Sequence, residues 1–203
     1  MLLSQTPRYT ILISTSLGDM KAVLYAETPL HTENFIDLVK KGFYNGQSFH
    51  RVINNFMIQA GDFRTKKTDG KAEQDLSDVN YTIPAEFNPA LYHKKAVIAA
   101  ARTDDKVNPQ RASSGSQFYI VQGRIFSDQD LDQMENKQIH IKFSEEQRKI
   151  YKSIGGTPHL DYAYTVFGEV ISGIEIIDKI AAVPVDINNR PIKDIKLNIK
   201  IIE

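Results

Sequence analysis

The chain has 203 residues and no cysteine, which excludes disulfides, thiolate nucleophiles and zinc–thiolate sites. Its 25 basic side chains balance 25 acidic ones, and no segment gathers Lys and Arg into the stripe that phosphate neutralisation needs, so nucleic acid is not the expected partner. With 41% apolar and 25% charged residues, it reads as one soluble globular domain, 1–203, able to bury a sizeable core and lacking any apolar run of the ~18 residues that span a bilayer.

The first seven residues carry neither a charged n-region nor a long apolar h-region, so no signal peptide is read there. The expected location is cytoplasmic, although a processed periplasmic form trimmed of its signal would present the same chain. Residues 9–15 and 20–25 are β-rich runs around Leu17-Gly18-Asp19 and predict a hairpin turned by Gly18. Thr28-Pro29 then opens a helix, with Thr as N-cap and Pro at the first helical position. Leu30, Phe35, Ile36, Leu38 and Val39 supply its apolar face, and Gly42 ends it. His31, in its first turn, is read as a solvated surface residue.

Residues 48–63 form the densest stretch of chemistry in the chain. Phe49, Val52 and Ile53 mark one short strand, 56–59 mark another, and Asn54-Asn55 is the turn between them because Asn tolerates positive φ. Strand alternation puts Arg51, Met57 and Gln59 on one surface. A cation and an amide beside a thioether and a phenyl ring suit an extended apolar peptide whose carbonyls need donors. A core hairpin with one snorkelling arginine fits the same window.

Residues 64–78 are polar and read as a loop. Ala96-Val97-Ile98-Ala99-Ala100-Ala101 predicts a buried strand of small side chains, against which a peptide or a neighbouring element can lie close. After a second polar loop, 102–114, alternation in 117–121 places Gln117 and Tyr119 on one face and Phe118 and Ile120 on the other, one face core and the other site. Ser127-x-x-Asp130 and Ser144-x-x-Gln147 resemble capping boxes that open two helices. Leu131 and Met134 mark the apolar side of the first. Phe143, Gln147, Ile150, Tyr151 and Ile154 mark that of the second, which Gly155-Gly156 stops. A strand follows over 164–171, then a helix from Gly173 with Ile174, Ile177, Ile180 and Ala181 on one side. Ile195, Leu197, Ile199 and Ile201 alternate with polar residues in a half-buried closing strand. About eight strands with no βαβ rhythm suit a closed antiparallel barrel.

The run Phe49-His50-Arg51-Val52-Ile53-x-x-Phe56-Met57-Ile58-Gln59-x-Gly61-Asp62-Phe63 resembles the signature of the cyclophilin family of peptidyl-prolyl cis-trans isomerases. Gly115-Ser116-Gln117-Phe118-Tyr119-Ile120, then His159-Leu160-Asp161 with Val166-Phe167-Gly168-Glu169-Val170, resemble further family blocks in the expected order. The likeness covers 8–203 apart from about 127–156, which departs most from a minimal member and reads as an inserted helical excursion. Added stability or a lid over neighbouring strands is its expected role, with substrate selection as the alternative, and it is read as peripheral to turnover.

The resemblance implies a mainly β fold, a closed eight-stranded barrel capped by a helix at each end. It implies an isomerase of Xaa-Pro bonds that assists protein folding as a chaperone does, acting on proline-containing peptides and unfolded protein clients as a monomer without a cofactor. By position, Arg51 is the catalytic donor, and Gln59 holds the peptide carbonyl or the guanidinium. Phe56, Met57, Tyr119 and Leu160 form the proline pocket, Ala101 and Gln117 line the adjoining groove, and the polar loop over 64–78 borders it. Arg102, His159 and Tyr164 complete the substrate-binding set. Four replacements, one of them a residue pair, depart from the usual family pattern. Tyr119 replaces phenylalanine, Arg102-Thr103 stands for Asn-Ala, His159 for tryptophan and Tyr164 for histidine. The third predicts weak cyclosporin binding.

Other chemistries find less support. The five histidines lack HxH or HExxH spacing, so no metal site is read, and His50 is expected to be structural. Ser113, Ser114 and Ser116 lack a G-x-S-x-G context. The competing class is a non-catalytic module that uses the same groove to bind proline-containing segments.

Overall fold

A computed structural model describes residues 6–66, 79–137 and 142–202. Eleven strands occur among these residues: β1 (Pro7–Thr15), β2 (Gly18–Tyr25), β3 (Gln47–Ser48), β4 (Arg51–Ile53), β5 (Met57–Ala60), β6 (Thr82–Ile83), β7 (Val97–Ala100), β8 (Ser113–Ser114), β9 (Phe118–Val121), β10 (Val166–Ser172) and β11 (Lys196–Ile201). The helices are α1 (Pro29–Lys40), α2 (Asp128–Lys137), α3 (Glu145–Ser153) and α4 (Ile174–Ala181). Of the segment read as a loop, Phe63–Thr65 forms a single 3-10 turn, and 67–78 lie outside the described residues.

One antiparallel sheet runs β3-β11-β1-β2-β10-β7-β9-β5-β4, with β6 and β8 paired separately. The sheet curls until its two edges meet in consecutive residues: the Phe49 amide donates to Ile195 O and the His50 amide to Gln59 O. The expected closed eight-stranded barrel is present as a mainly β, strongly curled antiparallel sheet. It counts nine strands because 47–53 serves both edges.

Alternation divides the side chains between two faces. Val52, Ile58, Ala60, Phe118, Ile120, Ile98 and Ala100 point into the main core, with Phe35, Tyr44 and Phe167 stacked among them. The intervening Met57, Tyr119, Val121, Val97 and Ala99 form a second apolar cluster on the other face. α1 packs on β2, β10 and β11, and α4 on β2, β4 and β5. In α4 the buried side is Ile176, Ile177, Ile180 and Ala181, and Ile174 is exposed. The 3.6-residue period drops Ile174 outside the stripe and brings Ile176 into it.

The start of α1 differs from its sequence reading. Pro29 takes the first turn, but the Thr28 hydroxyl makes no cap and has no partner among the described residues. The Glu86 carboxylate accepts from the Leu30 and His31 amides instead, each at 3.0 Å. An anion at a helix N-terminus satisfies orphan donors and meets the favourable end of the helix dipole.

His31 is not solvated. It is 2% exposed, with Nδ1 2.6 Å from Glu86 Oε2 and Nε2 2.9 Å from Ser113 Oγ. The carboxylate that caps the helix also draws the imidazole inward, and a ring with both nitrogens bonded can be buried. The order carboxylate–imidazole–serine is that of a hydrolytic relay. Ser113 is 1% exposed, however, and the adjacent void of about 10 Å³ holds a single water at most, so no acyl group can reach it.

Burial holds the His31 imidazole below the ordinary histidine pKa, against the upward pull of Glu86, and His50 is lowered chiefly by burial too. The unfolded chain therefore binds protons at these rings at higher pH than the folded protein does. Stability contributed by the neutral rings is complete above the unfolded value of about 6.5 and is lost as pH falls through the lower folded values. The thermal midpoint should drop between pH 7.5 and 5.5, each ring adding up to about 1.4 kcal/mol per pH unit to the slope. Differential scanning calorimetry across that range checks this, and a flat midpoint would contradict it.

Candidate active site

The site grows from the β4–β5 hairpin. Asn55 has φ +61° at its turn, and its amide donates to Asn54 Oδ1 and, at 2.6 Å, to Gln122 Oε1. The Phe56 carbonyl accepts from the Gln122 and Gly123 amides, so the ring that follows the turn is carried on a fixed backbone. Register then aligns the polar groups. Arg51 lies opposite Gln59, and Gln59 opposite Tyr119 across β9. Arg51 Nη1 donates to Gln59 Oε1 at 3.2 Å, and Gln59 Nε2 donates to Gln117 Oε1 at 3.1 Å. Of the two roles expected for Gln59, the structure contains the one that holds the guanidinium. Among the described residues no carboxylate pairs with Arg51, so most of its donors remain available.

Arg51, Phe56, Met57, Gln59, Ala101, Arg102, Tyr119, Leu160 and Tyr164 line one cleft of about 230 Å³. Nine of the eleven residues singled out in the sequence thus converge. Gln117 lines the adjoining hollow and orients Gln59. His159 sits at the rim, stacked on Phe56 with ring centroids 5.6 Å apart and 29° between planes. The residue is exposed, yet lost hydration around the ring, followed by the nearby His93, holds its pKa below the ordinary histidine value. It therefore presents a neutral imidazole at physiological pH.

Two of the departures from the usual pattern explain each other. The Arg102 guanidinium lies 4.4 Å from the Tyr164 ring centroid, donates to Ala163 O and Thr103 O, and pairs with Asp105 at 2.5 Å. Its side chain is 4% exposed, so this arginine acts as a strut under Tyr164 through cation–π contact.

Tyr119 answers the question its hydroxyl poses. It is 4% exposed, and its Oη lies 2.9 Å from His93 Nε2. His93 Nδ1 is 3.0 Å from Asp161 Oδ1, which also accepts from the His93 amide at 2.8 Å, and Tyr151 Oη donates to Asp161 Oδ2 at 2.6 Å. The tautomer with Nδ1–H aimed at the carboxylate leaves Nε2 to accept from Tyr119. Burial pushes both phenols well above the ordinary tyrosine range, so both stay neutral donors. Sequence reasoning missed His93, Asp161 and Tyr151 as parts of the site. The available signal was Tyr119 itself, since a buried phenol needs a partner.

His50, expected to be a hydrogen-bonded structural residue, is half-buried, and its Nδ1 has no partner among the described residues. Among those residues no group of three His, Asp or Glu is arranged to hold a metal, and His140 lies outside them. No helix among them is long and apolar enough to cross a membrane. Chemically the cleft offers a forked cation at the edge of an apolar pocket, with an amide to orient it and neither nucleophile nor acid–base pair.

Proteins of known sequence and structure resemble this chain over most of its length. The family model described as cyclophilin type peptidyl-prolyl cis-trans isomerase/CLD matches residues 10–201. A protein of Staphylococcus saprophyticus, provisionally named a peptidyl-prolyl cis-trans isomerase, is 33% identical over 195 residues, spanning 95% of this chain and 91% of that protein. A Streptococcus pyogenes protein provisionally named as a bifunctional phosphatase/peptidyl-prolyl cis-trans isomerase is 32% identical over 91% of this chain but only 37% of its own length. Among solved structures, a Cryptosporidium parvum cyclophilin type peptidyl-prolyl cis-trans isomerase, crystallised in the presence of the dipeptide Ala-Pro, superposes with a TM-score of 0.67. It is 23% identical and covers 96% of this chain and 99% of that one.

Proposed function

The chain belongs to the cyclophilin-type peptidyl-prolyl cis-trans isomerases, and from that premise we propose that Arg51 catalyses rotation about Xaa-Pro bonds held in the 230 Å³ cleft. The barrier to amide rotation is about 20 kcal/mol because the C–N bond has partial double-bond character. As the bond twists, resonance is lost and the proline nitrogen gains a usable lone pair. A donor aimed at that lone pair bonds it only in the twisted state, which is differential binding of the transition state. Arginine suits the task because its guanidinium is a rigid fork of donors that keeps its proton.

The observation that carries this reading is the Arg51–Gln59–Gln117 chain across the mouth of an apolar cleft. Gln59 fixes one arm of the fork and leaves the others facing the cleft. Phe56, Met57, Tyr119 and Leu160 would receive the proline ring, and Ala101 would let the peptide backbone lie close. The Ala-Pro dipeptide named with the Cryptosporidium structure fits this substrate class. Proline-containing segments of unfolded proteins would be the natural clients, with no cofactor taking part.

A protease-free assay on a short Xaa-Pro peptide separates the enzyme from a module that only binds. Catalysed exchange well above the spontaneous rate, which takes tens of seconds, is the expected result. Saturable binding without acceleration would establish the binding module instead.

A further inference from the structure

We propose that Tyr151, on a helix of the inserted segment, is a positioning residue for the proline pocket, acting through Asp161 and His93 on Tyr119. This rests on the isomerase reading above and extends it to a part of the chain expected to stand apart from turnover.

α3 is built to hold Tyr151 still. Ser144 and Gln147 form a reciprocal capping box at its start, and Ser127 and Asp130 form another before α2. The Tyr151 ring is 0% exposed, packed edge-on against Tyr92, Phe126 and Phe143 with centroids 5.8, 6.4 and 5.6 Å away. The expected face is narrower than the sequence suggested: Ile154 is exposed, and Tyr151 with Gln147 carries the helix's burial. The segment returns against His93 at Gly156, where a Cβ would lie 2.2 Å from His93 O and 2.7 Å from the Tyr151 ring. Only glycine permits that approach.

From this anchored ring a line of hydrogen bonds runs to the cleft. Asp161 is a buried carboxylate, 1% exposed at its side chain, and Tyr151 is the one donor given to its Oδ2 among the described residues. Oδ1 is shared by the His93 amide and Nδ1, so the carboxylate orients the imidazole. The far nitrogen of the imidazole receives the Tyr119 hydroxyl, and Tyr119 is a wall of the cleft. Removing the Tyr151 hydroxyl leaves a buried carboxylate oxygen short of a donor. The carboxylate would then turn to recover one, and His93 and Tyr119 would follow. A shifted wall weakens the hold on the proline ring in ground and transition states alike, which raises KM more than it lowers kcat.

The test is steady-state turnover of a short Xaa-Pro peptide by wild type, Tyr151→Phe, Tyr119→Phe and the double variant, with thermal midpoints alongside. Phenylalanine retains the packed ring at both positions. KM should rise roughly three- to tenfold in Tyr151→Phe with kcat within about twofold, the effect of one good hydrogen bond. In the Tyr119→Phe background the same substitution should change KM by less than about twofold, because the line is already cut. An unchanged KM in folded Tyr151→Phe overturns the proposal, as does an undiminished effect in the double variant, since a merely structural tyrosine would act additively. If Tyr151→Phe does not fold, Tyr119→Phe decides alone: an unaltered KM there overturns the proposal. Wild-type turnover in the same series tests the isomerase reading independently.

Discussion

Arg51→Ala is expected to lower catalytic efficiency toward a short Xaa-Pro peptide by one to two decades while the protein stays folded. A hydrogen bond from a charged donor contributes about 1.5–3 kcal/mol, and at about 1.4 kcal/mol per decade this spans the stated loss. The fold should tolerate the change. Arg51 is half-buried on the cleft face, its only side-chain partner among the described residues is Gln59, and its neighbour Val52 carries the core contact of β4. Efficiency and thermal midpoint measured on the same preparation check this. Near-normal efficiency in the folded variant removes Arg51 from the mechanism, and Gln59→Ala, which frees the guanidinium, should then also be silent.

The second large effect concerns cyclosporin, which occupies the proline groove in members of this family with tryptophan at the position of His159. An indole there offers more apolar area and a fixed N–H donor. Here the imidazole lies against Phe56 and is held neutral, so it has one donor whose place depends on the tautomer. Loss of a well-placed donor costs roughly 0.5–1.5 kcal/mol, and loss of part of an aromatic contact costs about as much again. His159→Trp should therefore tighten cyclosporin binding on the order of 10- to 100-fold. Peptide turnover, which depends on Arg51 and the pocket inside the rim, should change little. A calorimetric titration of both proteins checks the shift. Nanomolar binding by wild type, or no tightening in the variant, would show that the rim position does not govern affinity.

Local features of the site were legible because local rules govern them. The Asn54-Asn55 turn follows from the tolerance of Asn for positive φ. The grouping of Arg51, Met57 and Gln59 follows from a two-residue period, as does the split of Tyr119 from Phe118 and Ile120. Family resemblance then brought Leu160 and Tyr164 to the same cleft from forty residues further along. What was not legible depends on partners remote in sequence. Glu86 replaces Thr28 as the cap of α1 and draws His31 inside from 55 residues away. The line Tyr119–His93–Asp161–Tyr151 joins four segments, and nothing near any one of them names the others. Hydrophobic periodicity places apolar faces. It says nothing about which buried polar group will satisfy which.

The central claim is that Arg51 acts on the twisted bond rather than on substrate binding. The most direct measurement is the cis–trans exchange rate of an Ala-Pro peptide on the enzyme, from NMR line shapes at saturating protein, for wild type and Arg51→Ala. The account predicts an on-enzyme exchange rate at least about tenfold slower in the variant, with peptide affinity within a few-fold. An unchanged on-enzyme rate with weakened binding would contradict it and leave Arg51 as a binding residue alone.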